Sequence, residues 1–321
     1  MRAGIAFAGL LLVVGNACAE GRQVSLDWLK TMAFAGHQTD YSGVFIYQYG
    51  GRVETSRIIH VVEADGEYEK LECLDGPKRE IIRHNGHVWE FHNHKMVRAS
   101  NQGRGKFPAL LPEQLSALGV SYQASQVGVE RVAGYDAQVI LFEPKDNLRY
   151  AHKLWAHNVS GLLLKASVLD DRKQPVEQYA FTQLQIGGGI DRSWIKSAPA
   201  MDAQGRVHDE KSSAAAGVPV NSGWVVDALP LGFRKTMEIQ RPMRGRHAPV
   251  VQLVFSDGLS AISVFVEPDD GDEDDVNGLS SRGAMNLYHK LANGHLITVV
   301  GEVPARTVMQ VADSLRYNGV Q

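Results

Sequence analysis

The sequence predicts a mainly β protein of the α+β class: a large antiparallel sheet wrapped around a few helices, then a smaller antiparallel sheet domain with a C-terminal helix. Three observations predict it. Residues 41–186 form a succession of short β-branched and aromatic runs separated by turn dipeptides, many of these runs are apolar on both faces, and periodicity is lost between Gly187 and Gly223 before a second β-rich series begins.

The chain opens on Arg2, an uncharged apolar stretch from Ala3 to Val14 and the triplet Ala17-Cys18-Ala19, the pattern of a secretory signal peptide over residues 1–19. The apolar run is shorter than the roughly 20 residues a spanning helix needs, so a soluble, exported chain is expected. Cys18 as a lipid-attachment site fits less well, because Gly15 and Asn16 stand where such signals carry Leu and a small or apolar residue. Cleavage after Ala19 leaves Cys73 as the single cysteine, so stability must come from packing rather than an internal disulfide.

With 321 residues, 44% of them apolar, the chain can fill two domain cores, expected at residues 20–196 and 223–321 with a linker at 197–222. A net charge of −3 provides no basic field for nucleic acid, which is excluded as a partner class. Monomer and homodimer both remain open.

Ser25 is placed to cap a first helix in which Leu26, Leu29, Met32 and Ala33 share a face. Strands follow at 42–48, 55–63, 67–74, 79–83, 87–92 and 95–98, turning at Asp65-Gly66, Asp75-Gly76 and Asn85-Gly86. An interruption at 100–119, with Pro108, Pro112 and a helix over 113–118, precedes strands at 120–127, 136–143, 150–156, 162–169 and 176–185. Runs such as Val44-Phe45-Ile46-Tyr47 and Val139-Ile140-Leu141-Phe142 need cover on both faces, and a curved sheet of ten or eleven strands around helices supplies it.

The second series begins at Trp224 and runs through 235–241, 250–255, 260–267, 285–291 and 296–301, with a tight hairpin at Asn293-Gly294. Pro304 suits a first helical turn, and Val308, Val311, Ala312 and Leu315 recur at helical spacing to form the closing helix.

No nucleophile elbow, metal-protease helix, P-loop or dinucleotide fingerprint occurs, so no catalytic residue, metal or cofactor is expected. Ser193-Trp194-Ile195-Lys196 matches S-x-x-K without the partner motifs of serine acyl-enzymes. His84 and His87 face each other across a turn, but His92 and His94 flank another, so the four read as exposed polar residues near strand ends. The run Asp269 to Asp275 alternates like a calcium loop, then fails: Asp275 stands where the turn glycine belongs and Ser281 where the bidentate glutamate belongs.

The segments Asp40-Tyr41-Ser42-Gly43-Val44-Phe45, Arg131-Val132-Ala133-Gly134-Tyr135, Asn147-Leu148-Arg149-Tyr150, Ser160-Gly161-Leu162-Leu163-Leu164 and Glu177-Gln178-Tyr179-Ala180-Phe181-Thr182, in this order behind an export signal, resemble the MucB/RseB family. The resemblance implies a half-open antiparallel barrel of LolA/LolB type and a smaller C-terminal domain. It also implies a periplasmic regulator that binds the periplasmic part of a MucA/RseA-like anti-sigma factor and shields it from proteolysis. Lipopolysaccharide or the acyl chains of mislocalised lipoproteins would release it. A LolA-type lipid or lipoprotein carrier is the alternative, disfavoured by the second domain, and a hydrolase built on Ser193 or the histidines is the remaining one.

Strand alternation nominates Phe45, Tyr47, Trp89, Phe91, Phe142 and Trp155 for the lipid face. Phe233, Arg234, Arg241 and Arg244 are the basic and aromatic candidates for the anti-sigma contact.

Overall fold

The computed structural model describes residues 22–100, 107–112, 114–197, 217–242, 248–269 and 278–319. The expected signal peptide and most of the expected linker lie outside them.

A two-residue strand β1 (Arg22–Gln23) leads into helix α1 (Leu26–Gln38). The Ser25 hydroxyl accepts the Trp28 N–H at 3.2 Å, and Thr39 leaves the helix in an extended conformation. Six strands follow: β2 (Tyr41–Tyr49), β3 (Arg52–Glu63), β4 (Gly66–Cys73), β5 (Arg79–His84), β6 (His87–His92) and β7 (Lys95–Ser100). The helix expected at 113–118 is a 3₁₀ turn over Leu115–Ala117 that continues into a single α turn, α2 (Leu118–Ser121). It is followed by β8 (Tyr122–Val132), β9 (Tyr135–Pro144), β10 (Ala151–His157), β11 (Leu163–Leu169) and β12 (Pro175–Ile186).

These twelve strands form one antiparallel sheet in the order β1-β8-β9-β10-β11-β12-β2-β3-β4-β5-β6-β7. The two edge strands, β1 and β7, do not meet, so the sheet stays half-open. One face carries α1 and the 107–118 segment: Leu29, Met32, Phe107, Leu111, Leu115 and Leu118 pack against Phe45, Ile58, Phe142, Leu154 and Phe181. The opposite face has two smaller clusters, one around Val61, Ile82 and Trp89 covered by Ile190 and Trp194, the other around Val139, Trp155 and Leu164. Cover on both faces is what the doubly apolar runs require.

The second unit contains β13 (Val218–Pro219), β14 (Trp224–Val226), β15 (Arg234–Arg241), β16 (Val250–Ser256), β17 (Ala261–Pro268), β18 (Gly278–Arg282), β19 (Met285–Ala292) and β20 (His295–Gly301). It ends with α3 (Ala305–Asp313) and β21 (Leu315–Tyr317). Seven strands pair as β13-β15-β16-β17-β20-β19-β18, while β14 and β21 pair separately. At the Asn293-Gly294 turn both residues take positive φ, 54° and 69°, as a tight hairpin demands.

Val308, Val311 and Ala312 bury one side of α3 against Leu253, Val264, Ile297 and Val299. Pro304 is the N-cap rather than the first helical residue, and Leu315 belongs to β21 rather than to the helix. The Leu315 side chain still enters the same core, which is why the helical spacing extended one step too far. Among the described residues no helix is long and apolar enough to cross a membrane.

Candidate ligand and partner surfaces

The six lipid-face candidates divide by strand register. Phe45, Tyr47 and Phe142 lie on the face that carries α1, whereas Trp89, Phe91 and Trp155 lie on the opposite one. Trp155 packs with Val139 and Leu164, donates to Glu130 at 2.8 Å, and has the Lys153 and Lys165 ammonium groups within 4.6 Å of its ring centroid.

On the α1 face the aromatic residues form a continuous ladder. Phe45 touches Phe181 and Phe107, Phe107 stacks on Tyr179 at 5.4 Å, Tyr179 stacks on Tyr47 at 4.3 Å, and Tyr47 stacks on Tyr49 at 4.5 Å. The ladder runs from the buried core to half-buried Tyr47 and Tyr179. Tyr49 then meets the second unit: the Arg282 guanidinium lies 4.7 Å above its ring and donates to its hydroxyl at 2.5 Å. Glu177 sits beside this end; burial pushes its carboxyl above the ordinary range, against hydrogen bonds from Tyr47, the Ala284 backbone and Tyr179.

A second junction involves Arg149. Its guanidinium donates to Asp257 Oδ2 at 2.6 Å, to the Leu231 carbonyl at 2.7 Å and to both Asp146 oxygens at 2.9 and 3.1 Å. It lies over the rings of Phe233 and Tyr122, 5.2 and 5.6 Å from their centroids. Burial alone would lower its pKa, and the two carboxylates more than offset this. Tyr122 donates to Asp257 at 3.2 Å, and His152 lies edge-on to Tyr122. Among the described residues the His152 Nε2 has no hydrogen-bond partner, and burial, opposed by the charge of Asp257, holds its pKa at about 4.

The partner-face candidates do not converge. Phe233 is buried at this junction, and Arg234 beside it is exposed. Arg241 lies at the far end of β15, about 23 Å along an extended strand, with its guanidinium over Phe265. Arg244 lies outside the described residues. Ser193 is tied to Asp191 at 3.0 Å. The four histidines have separate neighbours, Tyr68, Trp89, Glu90 and Lys78, and no metal-binding cluster occurs among the described residues. The acidic run beyond Asp269 lies outside them.

Arg149, Asp257, Tyr122, Phe107 and Tyr179 were not nominated from sequence as site residues. Arg149 and Tyr179 do stand in segments that carry the family resemblance, whereas Asp257 stands in an ordinary Ser-Asp-Gly turn.

The model of the MucB/RseB N-terminal domain matches residues 25–199, and that of the MucB/RseB C-terminal domain matches residues 219–316. The chain belongs to the MucB/RseB family. Among its relatives, the sigma factor AlgU regulatory protein MucB of Pseudomonas aeruginosa is 30% identical over 315 residues, 96% of each chain. The sigma-E factor regulatory protein RseB of Haemophilus influenzae is 25% identical over 313 residues, 96% of this chain and 95% of that one. The complex of Pseudomonas aeruginosa MucA and MucB superposes with a TM-score of 0.72 at 30% identity, over 92% of this chain and 99% of that one. A MucB crystal structure superposes with 0.60 at 30% identity, over 91% and 97%. The half-open sheet and the smaller helix-backed sheet are thus the architecture of a MucB/RseB protein.

Proposed function

We propose that this chain is a periplasmic regulator that binds the periplasmic region of a MucA/RseA-like anti-sigma factor and shields it from regulated proteolysis. Lipidic envelope material, lipopolysaccharide or mislocalised lipoproteins, releases it. The observation that carries the reading is its likeness, over nearly the whole length of both chains, to a MucB solved with MucA. It acts by binding: no bond is made or broken, and an amphiphile lowers affinity for the anti-sigma factor by the ratio of its own affinities for the free and bound states.

The aromatic ladder is the surface we assign to the amphiphile. It offers an apolar, aromatic track that begins at half-buried tyrosines and leads to the core, so an acyl chain laid along it buries its own surface against aromatic rings.

Calorimetric titration of residues 20–321 with the periplasmic segment of the host's anti-sigma factor, repeated with lipopolysaccharide, tests both parts. Tight binding weakened by lipopolysaccharide is expected. No binding to the segment, with lipopolysaccharide still bound, would favour a lipid carrier.

A further inference from the structure

The loop between β9 and β10 contains Asn147-Leu148-Arg149-Tyr150, and three successive residues of it grip the second unit. Thr307 donates its hydroxyl to the Leu148 carbonyl at 2.7 Å, Arg149 reaches Asp257, and Asn286 donates to the Tyr150 hydroxyl at 3.0 Å. Arg149 and Asp257 side chains are both 0% exposed. The junction is therefore buried, yet its principal bonds are polar.

Each charge also has partners within its own unit. Arg149 is held by Asp146 three residues away, and Asp257 Oδ1 accepts the Leu259 and Ser260 N–H groups at 3.0 and 2.8 Å. Parting the units would return Arg149 to a carboxylate that is 31% exposed, and Asp257 to its own turn. Neither would be stranded without a partner, which is the usual obstacle to opening a buried ion pair. The apolar surface around the pair is wet at its rim, where Leu231 is 73% exposed and Val120 43%, and dry where Phe233 and Tyr122 cover the guanidinium and Leu259 packs on the first core. Interfaces between domains of one chain are commonly polar enough to move.

We infer that the 146–150 loop is a reversible latch: Arg149 bonded to Asp257 sets one orientation of the two units, and the bond releases as a whole to give a second, open orientation. The matched intra-unit partners make both states charge-satisfied. The latch acts upstream of any ligand, so it is measurable on the chain alone.

Hydrogen exchange on residues 20–321 tests it. The Leu148 amide is bonded to Asp146 and the Phe233 amide to the Pro230 carbonyl, so the segments 145–150 and 228–233 report from the two sides of the junction. Asp257→Asn keeps the turn acceptor and removes the charge facing Arg149. Exchange in both segments is expected to accelerate by one common factor, about tenfold, while β9, β10, β16 and β17 stay unchanged. Thr307→Val removes a different bond of the same latch and is expected to give about threefold at the same two segments. Acceleration confined to the 257–260 turn, equal acceleration in the central strands, or none at 145–150 and 228–233 would overturn the latch.

Discussion

Arg149 and Asp257, 108 positions apart, meet at 2.6 Å with neither side chain exposed to solvent. The pair is asymmetric. Arg149 also bonds Asp146 and the Leu231 carbonyl and covers two rings, whereas Asp257 is the terminus of a four-residue turn.

The asymmetry sets the order of mutational cost. Asp257→Asn keeps the acceptor of its own turn, leaves Arg149 held by Asp146 and is expected to cost about 1.5–3 kcal/mol, the range for a hydrogen bond to a charged group. Arg149→Ala removes every contact at once and is expected to cost about 3–5 kcal/mol, as for a broken buried pair. Urea denaturation of both variants measures the difference. Asp257→Asn costing as much as Arg149→Ala would show that Asp146 does not hold the guanidinium.

His152 makes the fold sensitive to mild acid. Its ring is buried, and burial depresses its pKa from the ordinary 6.5 to about 4. The unfolded chain therefore binds this proton more tightly than the folded one, so stability falls as pH drops from about 6.5 toward 4. The contribution is at most about 3 kcal/mol. His152→Leu fills the same apolar surroundings without a titrating group, and its unfolding midpoint is expected to vary less over that pH window. A variant whose midpoint still declines in parallel with wild type would place the sensitivity elsewhere.

Most of the fold was legible because strand alternation and turn dipeptides act locally. The eleven expected strands of the first series occur with ends shifted by a few residues, and the helix capped by Ser25 is present. What escaped was short or non-local. The three-residue strands β14 and β21 carry too few residues for alternation to show, and β18 is an exposed edge strand without an apolar face. The candidate site was less legible. Trp155 and Phe142 both sit in strands rich in apolar residues on both faces, and only register shows that they face opposite ways. Asp257 had no local signal, because its meaning depends on an arginine from another sheet.

Gly43 shows a backbone demand that hydropathy does not reveal. A Cβ there would lie 2.5 Å from the Gln183 carbonyl oxygen and 2.9 Å from the Phe181 ring. The carbonyl belongs to β12, which pairs with β2 around a bulge between Phe181 and Gln183, so it cannot simply swing aside. Gly43→Ala is expected to cost about 1–3 kcal/mol, the range for overpacking a filled site. Thermal unfolding checks it, and an unchanged melting temperature would mean that the bulge relaxes freely.

The division of aromatic residues by sheet face gives the sharpest test of where an amphiphile binds. Tyr47 is a half-buried rung of the ladder, stacked between Tyr49 and Tyr179, and its phenol reaches the half-buried Glu177. Truncating it opens the track without emptying the core. Trp155 is larger and more buried, but register puts it on the other face, with its indole N–H spent on Glu130. If acyl chains follow the ladder, Tyr47→Ala should weaken lipopolysaccharide binding by about tenfold, the effect expected of an aromatic contact residue. Trp155→Phe should leave affinity unchanged while lowering stability through the lost indole hydrogen bond, by about 1 kcal/mol. Calorimetry with lipopolysaccharide, paired with urea denaturation, separates the two effects. Loss of affinity in Trp155→Phe with none in Tyr47→Ala would move the ligand to the opposite face of the sheet, where Lys153 and Lys165 flank that indole.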